Sequence, residues 1–410
     1  MSPAVTEVDV SPISEAYGWL GERPSGGGSS DDGLIDVSQA VPGYPPPESL
    51  RRHVADLALD PQSHRYTDQL GLRELRAALA RDLELAYGGR VGAEQIAITA
   101  GCNQAFCLVA DALARAGDEV VVPLPYYFNH DMWLRARGVI PVYVTAGEDL
   151  LPRPADIARR ITRRTRAIVL VTPNNPTGAV YPPELIARCY ELAELAGIAL
   201  LVDETYRDFR STAAPAHDLF SRDGWERTLV HLYSFSKVFC LAGYRVGAIA
   251  AGEGLLHQVA KLMDCVAICP PRLGQEAALF GLERLGEWRE DNRQRMNRRV
   301  RAFRQALAAL EHGGFEAVSA GAYFAYLRHP FTGRSSRDVA RRLARDHGVL
   351  TLAGDMFGPG QGAFLRVALA NLSADRVAEL VRRLEQAVRS PPQPSPSPRP
   401  EGGASQGALP

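Results

Sequence analysis

The alternation of short apolar runs with amphipathic segments in the middle of the chain most constrains its fold. Strands are predicted at the apolar runs Ile96–Thr99, Glu119–Pro123, Ile140–Val144, Ala167–Thr172, Ala199–Asp203, Thr228–Tyr233 and Val246–Ala250. A helical pattern precedes the first of these runs, at Leu72–Ala86, and others lie between runs, at Asn103–Ala114 and Pro183–Leu195. Most of the runs are continuous Val, Ile, Leu and Ala, which is typical of strands buried on both faces. The pattern therefore predicts an α/β fold with a mostly parallel central sheet and helices on both of its faces.

The pattern changes after about residue 280, where a smaller α+β domain is expected. Helices are predicted at Trp288–Glu311, Ser336–His347 and Ala374–Val388, and strands at Tyr323–Arg328 and Phe364–Leu369. A chain of 410 residues also exceeds what one hydrophobic core usually holds. We predict a partly flexible N-terminal segment (1–34), an N-terminal part of the small domain (35–48), a large domain (49–285) and a C-terminal small domain (286–389). Ser25–Gly33 is predicted to be a linker and the Pro/Ser/Gly-rich tail 390–410 to be disordered.

Composition excludes several classes of function. The formal net charge is −1 and no basic arm is present, so neither nucleic acid nor a membrane surface is expected as a partner. The apolar runs are too short to span a bilayer, and the N-terminus lacks the pattern of a secretory signal. The six cysteines form no CxxC pair and have no companion histidines at zinc spacing, so no metal site is expected. A cytoplasmic location follows as the expectation.

Lysine is rare in this chain. Of the 46 basic residues other than histidine, only Lys237 and Lys261 are lysines. Arginine cannot form an imine and is effectively never deprotonated, so it cannot replace a lysine that must do either. Lys261 lies in a helical stretch and is interpreted as a solvated surface charge. Lys237 follows a predicted strand, and we interpret it as a candidate for a chemical role.

Two short motifs near this lysine point to a bound phosphate compound. Lys237 closes the stretch Tyr233-Ser-Phe-Ser-Lys237, in which hydroxyl groups flank an amine. Eight residues later, Arg245 stands between glycines in Gly243-Tyr-Arg245-Val-Gly247, which suits a planar, always charged phosphate clamp. Each motif alone has an ordinary alternative, a solvated lysine or a turn with an exposed arginine. The pair at this spacing is more specific than either part.

Two further motifs lie upstream. Asn175 falls in the turn Val171-Thr-Pro-Asn-Asn175-Pro-Thr-Gly178, and Asp203 ends an apolar strand three residues before Tyr206. A buried aspartate needs a partner, and a cationic ring nitrogen would be a good one. The alternatives are a purely structural turn and a helix N-cap, which Asp often supplies.

The four motifs together resemble the class I/II aminotransferases of pyridoxal-5′-phosphate (PLP) fold type I. They occur in the family's order and with typical gaps, 28 residues from Asn175 to Asp203 and 8 from Lys237 to Arg245. The resemblance covers roughly residues 35–388. It implies that PLP is bound covalently as a Schiff base on Lys237, which then also acts as the catalytic base.

The resemblance also implies the roles of the other cofactor-binding residues. Asp203 would pair with the pyridine nitrogen, and Tyr206 and Asn175 would bond the phenolate oxygen. The phosphate would be held by side chains and by a loop at a helix N-terminus, where backbone N–H groups face the anion; these are Arg245, Ser234, Ser236, Gly101, Cys102 and Asn103. Tyr127 would stack on the cofactor ring. His130 resembles the histidine that supports the ring-binding aspartate, a packed core histidine being the alternative.

Further matches concern the substrate and a partner subunit. Arg366, in Phe364-Leu-Arg366-Val-Ala, resembles the arginine that grips the substrate carboxylate, with Asn175 beside it. Ala40 and Val41 occupy the substrate segment in which relatives usually have a glycine. Tyr66 matches a tyrosine that reaches the phosphate of the neighbouring subunit, which implies a homodimer with shared active sites. Arg272 is expected to contact an acidic side chain or the phosphate, a surface arginine being the alternative.

The resemblance implies an aminotransferase in amino acid metabolism. It would transfer an amino group from an L-amino acid to a 2-oxo acid by a ping-pong mechanism. The same constellation also serves C–S β-lyases, decarboxylases and PLP oxidases, because fold alone does not select the reaction. A regulator with an aminotransferase-like ligand-binding domain is a remote alternative. It is disfavoured because the first 45 or so residues, which include the short segment before the resembling region, contain no helix-turn-helix pattern.

Overall fold

The computed structural model describes residues 3–22, 33–310 and 314–390. Apart from Gly33 and Ser390, the predicted linker and the predicted tail lie outside the described residues. The strands are β1 (Ile35–Asp36), β2 (Ile96–Thr99), β3 (Glu119–Pro123), β4 (Ile140–Val144), β5 (Thr165–Val171), β6 (Ala199–Asp203), β7 (Leu229–Ser234), β8 (Gly247–Ala250), β9 (Glu316–Gly321), β10 (Phe324–Arg328), β11 (Val349–Leu350), β12 (Leu352–Ala353) and β13 (Phe364–Ala368). The helices are α1 (Pro3–Thr6), α2 (Pro12–Gly18), α3 (Glu48–Leu59), α4 (Arg73–Tyr87), α5 (Cys102–Leu113), α6 (Phe128–Ala136), α7 (Pro154–Arg160), α8 (Pro183–Ala196), α9 (Phe235–Val238), α10 (Glu253–Ala267), α11 (Arg272–Arg284), α12 (Gly286–Ala308), α13 (Ser336–His347) and α14 (Ala374–Arg389).

A seven-stranded sheet forms the larger part of the molecule. Its strand order is β2-β8-β7-β6-β5-β3-β4; β8 runs antiparallel to both of its neighbours, β2 and β7, and the other neighbouring strands are parallel. The predicted mostly parallel sheet is therefore confirmed. Because β3, β5, β6 and β7 are parallel, the residues that follow them meet at one edge of the sheet.

Helices cover both faces of this sheet, as the apolar runs predicted. Leu200 and Val202 of β6 pack in the same core cluster as α4, α8 and α11, whereas Leu201 packs with α5 and α10. Successive strand residues point to opposite faces. A continuous apolar run is therefore what a strand needs when both faces are covered.

A smaller unit is built from later parts of the chain and from its beginning. Its four-stranded sheet has the order β12-β13-β10-β9, and β1 pairs in parallel with β11 through Ile35 and Val349. Trp19 shares a hydrophobic core with Phe303 and Leu380. On this ground we propose the domain division expected from the sequence, with residues 35–48 belonging to the unit formed by 286–389.

Within the described part of the chain, every helix is too short or too polar to cross a membrane.

Candidate active site

Lys237 lies in the short helix α9, directly after β7. Its Nζ atom donates a hydrogen bond to the backbone carbonyl of Ala40 at 2.6 Å. Burial and then the positive charges of Arg245 and Arg366 lower the pKa of the amine to about 8. Among the described residues no carboxylate lies within ion-pair distance of it. Such an amine is readily deprotonated and can act as a nucleophile or a base near neutral pH.

The amine faces a pocket at the carboxyl edge of the large sheet. The described residues that line this pocket are Cys102, Asn103, Tyr127, Val171, Asn175, Asp203, Thr205, Tyr206, Ser234, Ser236, Lys237 and Arg245. All of them except Val171 and Thr205 are candidate site residues from the sequence. The structure thus brings together motifs that lie far apart in the chain. Cys102 and Arg245, the first and last of these residues, are 143 positions apart.

Asp203 is the last residue of β6 and is 4% exposed. One carboxylate oxygen lies 3.3 Å from Nε2 of His130, and the other accepts the backbone N–H of Thr205 at 3.0 Å. Burial alone would raise the pKa of this carboxyl, but His130 and Thr205 outweigh it and hold the pKa below its ordinary value. The ring of His130 stacks on Phe106 with 3.9 Å between centroids. The pocket therefore has a buried, ionised carboxylate that suits a cationic partner.

The other end of the pocket is suited to an anion. Gly101 precedes helix α5 with a φ of +89°, and a side chain there would collide with the guanidinium of Arg245. Among the residues that the structure describes, Arg245 donates only to the carbonyls of Ala242 and Ala100, at 2.9 and 3.3 Å. The hydroxyl of Ser234 accepts the backbone N–H of Ser236 at 3.2 Å, so its own proton is available. A helix N-terminus, an arginine and serine hydroxyls together form a phosphate-type site.

Aromatic side chains form the walls between these two ends. Tyr127 donates to Asn103 at 3.2 Å, and its ring meets that of His130 edge-on with 5.1 Å between centroids. Tyr206 packs against Phe324 with 5.0 Å between centroids, and burial raises its pKa. Tyr206 therefore keeps its proton and can donate a hydrogen bond into the pocket.

Arg366 of β13 is 2% exposed and lies next to this pocket. It donates to the side-chain oxygen of Asn175 at 3.0 Å and to the backbone carbonyl of Ser38. Its Nε atom has no hydrogen-bond partner among the described residues, and no carboxylate pairs with it there. Burial lowers its pKa to about 10, so it remains a cation at neutral pH. A buried guanidinium without an anion is suited to binding a carboxylate.

Tyr66, Val41 and Arg272 are among the predicted residues that do not line the pocket. The side chain of Tyr66 is 74% exposed, so a role toward a partner subunit stays a prediction. Val41 is half-buried, and its substrate contact also stays a prediction. Arg272 lies 3.3 Å from Glu276, one turn along its own helix, which is an acidic contact within the same chain.

Sequence reasoning did not identify the backbone carbonyls of Ser38 and Ala40 as the groups that hold Arg366 and Lys237. A main-chain acceptor has no signature in residue type, so no signal in the sequence could have found it. Thr205 was also missed, although it lies inside the Asp203–Tyr206 motif, where its position next to Asp203 was a usable signal.

Comparison with known proteins agrees with this geometry. The family model "Aminotransferase class I and II" matches residues 32–384. An aromatic aminotransferase of Arabidopsis thaliana, ISS1, is 30% identical over 364 residues, which cover 86% of this chain and 89% of the relative. An aspartate aminotransferase of Pyrococcus horikoshii is 28% identical and covers 88% of this chain and 92% of its own length. A solved structure of a Thermus thermophilus aspartate aminotransferase variant superposes with a TM-score of 0.86 at 25% identity, covering 94% of this chain and 99% of that one. The chain belongs to the class I and II aminotransferase family.

Proposed function

We propose that this protein binds PLP covalently through Lys237 and transfers an amino group from an L-amino acid to a 2-oxo acid. One observation carries the proposal. The buried amine of Lys237 shares a single pocket with an ionised carboxylate, Asp203, and with the anion site around Arg245. These are the three groups that the aldehyde, the ring nitrogen and the phosphate of PLP require.

The chemistry follows from the groups in the pocket. When bound, PLP supplies an electron-accepting ring that makes the Cα–H bond of an attached amino acid acidic. Asp203 favours a proton on the ring nitrogen. After the substrate amine has replaced Lys237 on the cofactor, the freed lysine amine would take the proton from the substrate Cα and deliver it to the cofactor carbon, a transfer that its lowered pKa of about 8 supports.

Arg366 and Asn175 would bind the substrate carboxylate. Their mutual hydrogen bond of 3.0 Å orients the guanidinium before substrate arrives, which reduces the entropy lost on binding. In our proposal the donor leaves as a 2-oxo acid, and a second 2-oxo acid then takes up the amino group, which gives ping-pong kinetics. We further propose a homodimer in which Tyr66 completes the phosphate site of its partner.

The proposal can be tested by single turnover. Wild-type protein with PLP is expected to absorb visible light and, after borohydride reduction, to carry the cofactor on the peptide that contains Lys237. The variant K237A should carry no cofactor on that peptide after the same treatment. Because the relatives described above are named for aromatic amino acids and for aspartate, the donor panel should include aromatic and acidic amino acids.

Each donor in the panel is mixed with cofactor-loaded protein in the absence of an acceptor. Transfer predicts one equivalent of 2-oxo acid and conversion of the cofactor to its amine form. Release of ammonia with pyruvate, or consumption of oxygen with formation of peroxide, would show another PLP reaction instead.

A further inference from the structure

Glu204 lies directly behind Asp203, on the opposite face of the large sheet. It is fully buried. One of its oxygens, Oε2, accepts the hydroxyl of Tyr87 at 2.5 Å and lies 3.2 and 3.0 Å from Nε2 of His217 and His231. Its other oxygen has no hydrogen-bond partner among the described residues. Helix α4, strand β7 and the segment after β6 therefore all meet at a single carboxylate oxygen.

The two histidines do not cancel the charge of this carboxylate. Nδ1 of His217 accepts the backbone N–H of Leu219 at 3.3 Å, which assigns the ring proton to Nε2 and makes the ring a neutral donor to Glu204. Burial lowers the pKa of His231. Oε2 of Glu204 accepts hydrogen bonds from three side chains, and such bonds favour the ionised carboxylate over the protonated one. The carboxylate is thus ionised beside two rings that act as neutral donors.

Neighbouring charged groups do not neutralise it either. The guanidinium of Arg207 pairs with Asp82, and Arg289 bonds Asp82 at 2.7 Å and also pairs with Asp208. The positive charges of Arg207 and Arg289 therefore balance the negative charges of Asp82 and Asp208. Glu204 therefore leaves one negative charge uncompensated among the described groups behind the pocket.

The backbone of Glu204 carries the turn that enters the pocket. Its N–H donates to the carbonyl of Leu232 at 2.9 Å, and its carbonyl accepts the N–H of Arg207 at 3.0 Å. Asp203 and Tyr206, which line the pocket together with Thr205, lie on either side of Glu204 in the chain. A shift of Glu204 would therefore move both of them.

If Glu204 served only to stabilise the fold by accepting hydrogen bonds, it would not need a negative charge. Glutamine has the same shape and could accept hydrogen bonds from the same groups, whereas an ionised oxygen without a donor in the interior is destabilising. We propose that Glu204 is a positioning residue of the cofactor site: its buried negative charge fixes the turn that carries Asp203 and Tyr206 and favours a cation beside Asp203. This inference rests on the proposed function.

The test compares E204Q with the matched control E119Q. Glu119 is 5% exposed and accepts hydrogen bonds from Thr162 and Arg164, each at 2.5 Å, but it lies at the opposite edge of the same sheet. The readouts are the pKa obtained from the pH dependence of the bound cofactor's visible absorption, the Kd for PLP, kcat, KM and the Tm of the cofactor-free protein.

In E204Q the absorption pKa is expected to fall by about 0.5 to 1, because one negative charge is lost near the cationic cofactor. We expect kcat to fall about 5-fold or more, with KM nearly unchanged because Arg366 and Asn175 lie on other elements. The Tm should change little, and E119Q should leave the absorption pKa and kcat at wild-type values.

The shorter variant E204D separates charge from reach. It keeps the negative charge, so its absorption pKa should stay near that of the wild type while kcat falls. An unchanged absorption pKa in E204Q, or an equal fall in E204D or E119Q, would overturn the inference. Wild-type protein without visible absorption or amino transfer would instead contradict the proposed function itself.

Discussion

Two residues, Lys237 and Arg366, supply cations that the proposed reaction would use differently. Both are held by backbone carbonyls of one short segment, Lys237 by Ala40 and Arg366 by Ser38. A carbonyl accepts a hydrogen bond without carrying a full negative charge, so it holds each cation in place without neutralising it. The amine then remains available to an aldehyde, and the guanidinium to a carboxylate.

This arrangement predicts the pH dependence of cofactor capture by the cofactor-free protein. Only the neutral amine attacks an aldehyde, and the pKa of Lys237 is lowered from 10.5 to about 8. The lysine is therefore mostly protonated below this value and mostly neutral above it. We expect the rate of PLP capture to rise with pH, with a midpoint near 8, and then to level off. Stopped-flow absorbance at a fixed PLP concentration measures this rate.

A blocked lysine in free solution is the control for this measurement, since its amine titrates at about 10.4. Its rate should still be rising at pH 10. A protein midpoint close to that of the blocked lysine would contradict the lowered pKa of Lys237.

At the scale of elements, the N-terminus of helix α5 and the adjacent turn depend on one glycine. Gly101 has a φ of +89°, and a side chain there would collide with the guanidinium of Arg245. We expect G101A to weaken PLP binding about 10-fold or more, because the alanine strains the backbone and displaces the phosphate clamp. A fluorescence or absorbance titration of cofactor-free protein gives the Kd.

Gly243 provides the matched control, since it lies in the turn that leads to Arg245 but has no atom within 4 Å of an added side chain. The variant G243A should bind PLP within about 2-fold of the wild type. Equal weakening by the two substitutions would contradict a specific role for Gly101.

Strands of the large sheet such as β6 could be predicted from two features of the sequence, an apolar run and the polar residue that ends it. The run Ala199–Asp203 is apolar until its last residue, and the strand ends at that residue. The direction of β8 had no comparable signal, since an apolar run does not say which way its neighbours run. Helix α6 was not predicted, because its sequence mixes polar and aromatic residues and four of its nine residues are buried. Strand β9 was not predicted either, because it is a partly exposed edge strand of Ala, Ser and Gly type.

The candidate site could be predicted only at residues whose type and position in the sequence already indicate a chemical role. Asp203 and Lys237 are such residues, because charged groups that end apolar strands need a reason to be there. Glu204 was passed over, although it stands beside Asp203. Its meaning depends on Tyr87, His217 and His231, which lie 13 to 117 residues away in the chain and meet it only through folding.

At the scale of the molecule, the pocket lies where two hydrophobic cores meet. Tyr206 and Phe209 follow β6 of the large sheet, yet their rings pack in the core of the smaller unit, Tyr206 against Phe324 and Phe209 against Tyr323. Arg366 belongs to that smaller unit and bonds Asn175 of the larger one. Relative movement of the two units would therefore change the cofactor site and the substrate site together.

The proposed homodimer predicts that two defective variants can restore each other. If Tyr66 of one subunit serves the phosphate site of its partner, a hybrid of Y66A and K237A contains one site with both native residues and one site with neither. Random mixing of equal amounts would make about a quarter of all sites native. The mixture, unfolded and refolded together, should then recover activity when assayed at a PLP concentration too low to load Y66A. Such a concentration exists because loss of the Tyr66 hydrogen bond to the phosphate should weaken the affinity of Y66A for PLP about 10-fold or more.

The control mixture is K237A with R366A. Both side chains face the pocket of their own chain, so every site in that hybrid lacks one of them and no activity should return. Recovery in the first mixture with none in the second places Tyr66 in the site of the neighbouring subunit, because a residue acting within its own chain cannot complement a defect in another. Absence of recovery in both, with hybrids demonstrated by mass, would contradict a shared site, and the 74% exposure of Tyr66 would then be that of an ordinary surface residue.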